Sequence, residues 1–306
     1  MSKNKSLQSQ FHFTINDNFS EKIDKFSYKG NNGWTMDNKI FSYDSKFNAL
    51  DVSRNFSNFL KENFEDIKQI RDIKGEHIQA FLSKKAETCT NNTLQMYAST
   101  LNKLELAAEK TFKINLAWKG EYVIPQSQKN EFTNRGAEAS ISRSDLNKIV
   151  EYATQNRSQS GDVIRLQSQL GVRINEIISI KKDNINLEKS TILLDNCKGG
   201  RDLVREISTE CKELVKEILK EGYGKDTLFT VKGNSVNRYL RETEDKLGLD
   251  RHSTHDIRRC LAQEKFDNYR KEGYGIKQSL DKTSVWLNHG KNREEMLSKS
   301  YVANIH

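Results

Sequence analysis

Four short segments in the second half of the chain carry side chains whose types and order suit chemistry on a phosphodiester. Ser168-Gln-Leu-Gly-Val-Arg-Ile-Asn-Glu-Ile-Ile contains Gly171, Arg173 and Glu176. Cys197-Lys-Gly-Gly-Arg-Asp-Leu-Val places Lys198 at a predicted hairpin tip. Thr254-His-Asp-Ile-Arg-Arg puts His255 and Arg258 at i, i+3 on one helix face, and Trp286-Leu-Asn-His-Gly, followed by Ser300-Tyr-Val, supplies His289 and Tyr301. A tyrosine hydroxyl can attack phosphorus and become covalently joined to it. Charge then gathers on the non-bridging oxygens, which two arginines can clamp with forked hydrogen bonds that lysine cannot copy. Histidines can donate further bonds and move protons near neutral pH. A lysine on a hairpin can protonate the departing 5′ oxygen. Such a set needs neither metal nor ATP.

The elements that must position these groups follow from periodicity. Ser142 or Ser144 caps a helix whose Leu146, Ile149, Val150 and Ala153 recur at helical spacing. A further helix is predicted over 161–170. Two strands, Thr191–Asp195 and Leu203–Ser208, flank the hairpin signal Lys198-Gly199-Gly200. Helices are then predicted near 210–221, 234–247, 255–270, 279–288 and 292–304.

In order and in letter, Gly171-x-Arg173-x-x-Glu176, Lys198-Gly-Gly, His255-Asp-Ile-Arg258-Arg and Leu287-Asn-His289 resemble the catalytic domain of the tyrosine recombinase/integrase superfamily, which includes phage and plasmid integrases. The resemblance covers residues 142–306 and, more weakly, 46–118, which look like the family's helical core-binding domain. It implies that Tyr301 is the nucleophile, forming a 3′-phosphotyrosine link. It implies that Arg173 and Arg258 hold the scissile phosphate with His255 and His289 assisting, that Lys198 is the general acid, and that Glu176 positions Arg173. Asn288 stands where the family usually has glycine, and Tyr301 follows His289 by twelve residues, a longer spacing than in familiar members. Tyr269 and Tyr274 are rival hydroxyls, but both precede His289. Five residues follow Tyr301, which leaves little of the C-terminal segment that in many members docks on a neighbouring subunit.

The first half reads as helical. Val52, Phe56, Phe59 and Leu60 form one apolar stripe, Ile78, Phe81 and Leu82 a second, and Leu94, Tyr97, Ala98, Leu101, Leu104 and Ala108 a third, on a helix starting near Thr90. The expected organisation is an N-terminal arm or appended element over 1–45, a helical core DNA-binding domain over 46–118, a linker over 119–141 that holds the chain's one proline, and the catalytic domain over 142–306. The fold expected is mainly α with a small β-sheet, the two domains closing as a C-shaped clamp on duplex DNA. Base and phosphate contacts are expected from Asn91, Asn92, Thr93, Gln95, Asn102 and Lys103 on the helix after Thr90, and from Lys232, Asn234, Ser235, Arg238 and Arg241 in the second domain. Arg201, beside Lys198, is a further phosphate contact.

Bulk properties agree with a polyanionic partner. The chain of 306 residues has a formal net charge of +8. Its four cysteines, Cys89, Cys197, Cys211 and Cys260, lack zinc-site spacing and suit a reducing, cytoplasmic setting. There is no secretory leader pattern at Met1–Gln10 and no run of about 20 apolar residues for a membrane span. The expectation is therefore a metal- and ATP-independent, site-specific DNA recombinase acting as a dimer or tetramer on double-stranded DNA with inverted half-sites. Two other readings stay open: a relaxase of the same fold that nicks one strand at a transfer origin, and a non-catalytic sequence-specific DNA-binding protein.

Overall fold

The computed structural model describes residues 5–21, 23, 25–32, 37–129, 136–197 and 201–306. The chain divides into two compact units, Met1–Thr133 and Asn134–His306.

The first unit is built from α1 (Leu7–Asn18), α2 (Lys25–Asn32), α3 (Tyr43–Asn63), α4 (Gly75–Ala86) and α5 (Asn91–Phe112). Each of the three stripes read from the sequence faces one core: Phe56, Leu60, Ile78, Phe81, Leu101 and Leu104 are fully buried there. Thr90 caps α5, its hydroxyl accepting from the Thr93 N–H at 3.3 Å. Within residues 1–45, expected as an arm or an appended element, α1 packs on the helices that follow. Leu7, Phe11 and Ile15 of α1 belong to the same core, with Phe11 and Ile15 fully enclosed. The physical reason is that polar residues on this helix also face inward and are satisfied there. The Gln10 side chain donates to the Lys68 carbonyl at 3.0 Å, and Asn18 donates to Thr14 O, Ala107 O and Thr111 Oγ1. The stretch expected as a linker is likewise tied down at both ends. Tyr122 and Ile124 pack on the first core, the Gln128 N–H donates to Ala86 O at 2.8 Å, and Ile141 enters the core of the second unit.

The second unit comprises α6 (Arg143–Gln155), α7 (Gln159–Leu170), α8 (Ile174–Ile178), β1 (Ile185–Asn186), β2 (Thr191–Cys197), β3 (Arg201–Glu206), α9 (Thr209–Glu221), α10 (Gly233–Leu247), α11 (Thr254–Lys271), α12 (Ile276–Trp286) and α13 (Glu294–Ser300). The three strands form one antiparallel sheet in the order β1-β2-β3. Of the two candidate caps for α6, Ser142 is the one used, accepting from the Asp145 N–H at 3.0 Å. The predicted helix 279–288 begins three residues earlier and stops at Trp286, because Asn288 (φ 57°) and Gly290 (φ 85°) both take the left-handed conformation. The predicted 292–304 helix shrinks to α13, since Asn292 also has φ 57°. The main core gathers α6, α7, the inward faces of β2 and the buried sides of α9, α10 and α11. A smaller cluster of Ala262, Phe266, Leu280, Leu287, Leu297 and Val302 surrounds Tyr301. No helix among the described residues is long and apolar enough to cross a membrane.

Candidate active site

The turn after α7 supplies the first arginine. Gly171 ends that helix at φ 63°, a conformation that favours glycine, and its Cα lies against the Trp286 ring. Two residues on, Arg173 forms the N-cap of α8. Its backbone N–H donates to Glu176 Oε2 at 2.8 Å and its Nη1 to Glu176 Oε1 at 2.7 Å. One carboxylate therefore satisfies a helix-start N–H and orients the guanidinium. Burial would raise the Glu176 carboxyl, but the two bonds from Arg173 outweigh it and hold the group below the usual carboxylate range.

The other end of the Arg173 guanidinium reaches His289. Arg173 Nη2 lies 3.2 Å from His289 Nε2, and the same Nε2 lies 3.2 Å from the Tyr301 hydroxyl. Arginine has no acceptor, so Nε2 is the accepting nitrogen and the ring proton sits on Nδ1. Nε2 has a single lone pair, so in this tautomer the Tyr301 hydroxyl shares it with Arg173 as a second donor. The His289 and Tyr301 ring centroids are 5.2 Å apart.

His255 flanks Tyr301 on another side, also at 5.2 Å between ring centroids. Burial first, then the Arg259 and Arg258 charges, push the His255 imidazole down to about 4, so it is neutral at physiological pH. Arg258, one helical turn along α11, is 1% exposed and stands 5.8 Å from the Tyr301 ring centroid. Its Nη1 donates to Gly171 O at 2.8 Å and its Nη2 to Leu287 O. Arg258 thus bolts together the helix ends that precede Arg173 and His289. Arg173, Glu176, His255, Arg258, His289 and Tyr301 form one connected cluster. Lys198 lies outside the described residues, as does the side chain of Arg201.

Asn288 has a local explanation. The position requires φ 57°, and after glycine asparagine tolerates this region best. The Asn288 N–H donates to Val285 O and the His289 N–H to Ser284 O, both at 2.9 Å, which closes the end of α12 and aims the imidazole.

Three contributors were missed in the sequence. Arg259 donates through Nε to Ser300 O at 2.9 Å and also pairs with Asp256, so it grips the residue before Tyr301. Arg205 is buried on β3 and donates through Nη2 to Trp286 O at 2.8 Å. Cys197 is buried beside Glu176, where burial pushes its thiol up to about 11. Arg205 had a signal: strand alternation puts it on the same face as apolar Leu203 and Ile207.

The residues expected to meet DNA divide into two groups. Asn91 Oδ1 accepts from the Ser127 N–H at 2.8 Å, Thr93 Oγ1 pairs with Thr90 Oγ1 at 3.0 Å, Asn102 accepts from the Tyr122 hydroxyl at 2.6 Å, and Lys103 is bound to Asp37 at 3.0 Å. These four serve their own unit's structure, while Asn92 and Gln95 are exposed. On and before α10, Lys232, Asn234, Arg238 and Arg241 are exposed and Ser235 is half-buried.

Comparison with known proteins finds similarity over part of the sequence and over the fold. Residues 139–264 match the phage integrase family. The tyrosine recombinase XerA of Saccharolobus solfataricus is 31% identical over 94 residues, a stretch that is 31% of this chain and spans only about a third, 32%, of that relative's length. The fold matches the XerH site-specific recombinase in a pre-cleavage complex with difH, at TM-score 0.64 and 14% identity over 96% of this chain and 92% of that one. It also matches lambda integrase in a tetramer bound to a Holliday junction, at TM-score 0.60 and 14% identity over 95% and 79% of the two chains. Over residues 139–264, then, the chain is similar to the phage integrase family, and its fold is that of the tyrosine recombinases compared.

Proposed function

We propose that the protein is a site-specific recombinase that cuts and rejoins duplex DNA through a covalent link to Tyr301. The observation that carries this is the relay Arg173–His289–Tyr301, two successive 3.2 Å contacts through one imidazole nitrogen, with Arg258 beneath the tyrosine ring. In this conformation the ring covers Arg258, so a phosphate gains that arginine only as the ring swings aside. The Tyr301 oxygen then attacks phosphorus and its proton passes to His289 Nε2. Arg173 and Arg258 neutralise the non-bridging oxygens, with neutral His255 beside them. The bond to the 5′ oxygen breaks, and Lys198 supplies the proton that oxygen needs. One phosphodiester is exchanged for another, so rejoining by a 5′ hydroxyl requires no external energy and no metal.

Duplex DNA with inverted half-sites is the partner, bound by a dimer or tetramer. Supporting this is the assembly of similarly folded proteins on DNA: a lambda integrase dimer on a COC′ core site and a tetramer on a Holliday junction. A DNA substrate and four cysteines without zinc-site spacing suit a cytoplasmic setting.

The test is incubation with nicked duplexes built on inverted repeats flanking the gene. The wild type is expected to yield a covalent adduct whose protease digest maps to Tyr301. The Tyr301→Phe variant should bind the duplex and form none. An adduct that persists in Tyr301→Phe overturns the assignment.

A further inference from the structure

Two buried arginines grip consecutive carbonyls at the end of α12. Arg258 of α11 donates to Leu287 O, and Arg205 of β3 donates to Trp286 O at 2.8 Å. The last carbonyls of a helix lack intrahelical donors and carry the negative end of its dipole, so a guanidinium is well suited to them. Arg205 does more than cap. Its guanidinium also lies 4.5 Å from the Trp286 ring centroid. On another edge that ring meets Gly171, where an added Cβ would stand 3.0 Å from Cζ2 and 3.1 Å from Cζ3. Trp286 is therefore held between the β-hairpin and the turn that leads to Arg173.

This placement is costly. Burial and the neighbouring Arg258 charge push the Arg205 guanidinium down to about 10, and Glu176 offsets only part of that. Arg205 Nε is buried with no hydrogen-bond partner among the described residues. A hydrophobic side chain of similar volume would serve stability as well or better.

We infer that Arg205 is a positioning residue of the cleavage site. By holding Trp286 through its carbonyl and its ring, it fixes the turn that carries His289 and registers that turn against the β2–β3 pair. The inference rests on the functional reading above. It assigns Arg205 no contact with DNA or with the reacting atoms.

The decisive variant is Arg205→Met, which fills the space without the charge, the fork or the planar stack. Its melting temperature is expected to be unchanged or higher and its DNA affinity to stay within about 2-fold of wild type, because no phosphate contact is lost. Its single-turnover cleavage rate should fall roughly 100-fold, the order expected when a reacting group is misplaced by about 1 Å. A merely structural role would lower the cleaved amplitude and leave the rate constant alone. Arg205→Lys should recover little, since an ammonium cannot stack and fork together. Trp286→Leu should show a similar loss, and the double variant should be barely slower than the worse single, because both act through one contact. Arg205→Met cleaving within about 3-fold of wild type overturns the inference.

A second readout needs no DNA. The His289 imidazole resonances report its bonds to Arg173 and Tyr301, and they are expected to move in Arg205→Met as they do in Tyr301→Phe. Unmoved resonances overturn the inference even if no duplex is ever cleaved. Failure of the wild type to form an adduct, with moved resonances, would reject the functional reading and leave Arg205 as the residue that positions His289.

Discussion

Replacing Gly171 by alanine tests the packing that joins the turn bearing Arg173 to the turn bearing His289. Two penalties add at this position. The first is the left-handed backbone, φ 63°, which costs an L-residue roughly 1–2 kcal/mol. The second is steric. The new methyl would lie 3.0 and 3.1 Å from two Trp286 ring carbons and closer still to Cη2, against an optimum of about 3.5–4.0 Å. The ring cannot yield freely, because Arg205 lies over it at 4.5 Å. Overpacking of this kind costs typically ~1–3 kcal/mol, so Gly171→Ala should destabilise the second unit by about 2–5 kcal/mol. Gly248 provides the control. Its φ is 65° and nothing lies within 4 Å of its added Cβ, so Gly248→Ala carries only the backbone penalty of about 1–2 kcal/mol. Urea unfolding of both full-length variants, followed by circular dichroism, measures the difference. Cleavage should fall in Gly171→Ala and stay near wild type in Gly248→Ala. Equal losses of stability in the two variants would show that the Trp286 contact carries no weight and refute the reasoning.

Three other outcomes follow from specific contacts. Glu176→Gln should cost about 1.5–3 kcal/mol at pH 7. Because the folded Glu176 carboxyl titrates below its unfolded value, its contribution is complete above about 4.5 and disappears as pH falls through the lowered folded value, so wild-type and variant melting curves should converge in acid. His252 behaves with the opposite sign. Its bond to the fully buried Glu244, Nδ1 to Oε1 at 3.0 Å, raises its pKa against the effect of burial, so its stabilisation is full below about 6.5 and is lost as pH rises through the raised value. His252→Gln should therefore cost more at pH 6 than at pH 9 in thermal melts, and equal costs would contradict the assignment. Arg238→Gln and Arg241→Gln should each weaken binding to all duplexes alike and lower the slope of log affinity against log salt by about 0.9, measured by fluorescence anisotropy across a salt series.

The first unit shows how legibility fails. In α3, α4 and α5 the inward face is almost purely apolar, so the 3.6-residue period is plain in Val52, Phe56 and Leu60 or in Ile78, Phe81 and Leu82. In α1 the buried face alternates Leu7, Phe11 and Ile15 with Gln10, Thr14 and Asn18. Those polar side chains find carbonyl and hydroxyl partners up to 93 residues away, contacts that no local period records.

By itself the amino-acid order determined which chemical groups are present and in what sequence. Arg173, Lys198, His255, Arg258, His289 and Tyr301 are recognisable because each sits beside residues that dictate its local geometry: a glycine ending a helix, a glycine turn, an i, i+3 helical pair. Tertiary structure alone decided how those groups are held. Arg258 clasping Gly171 and Leu287, Arg205 gripping Trp286 and Arg259 anchoring Ser300 each join residues 29 to 87 positions apart. A chain encodes such contacts through long-range packing, and local spacing cannot reveal which carbonyl a buried guanidinium will find.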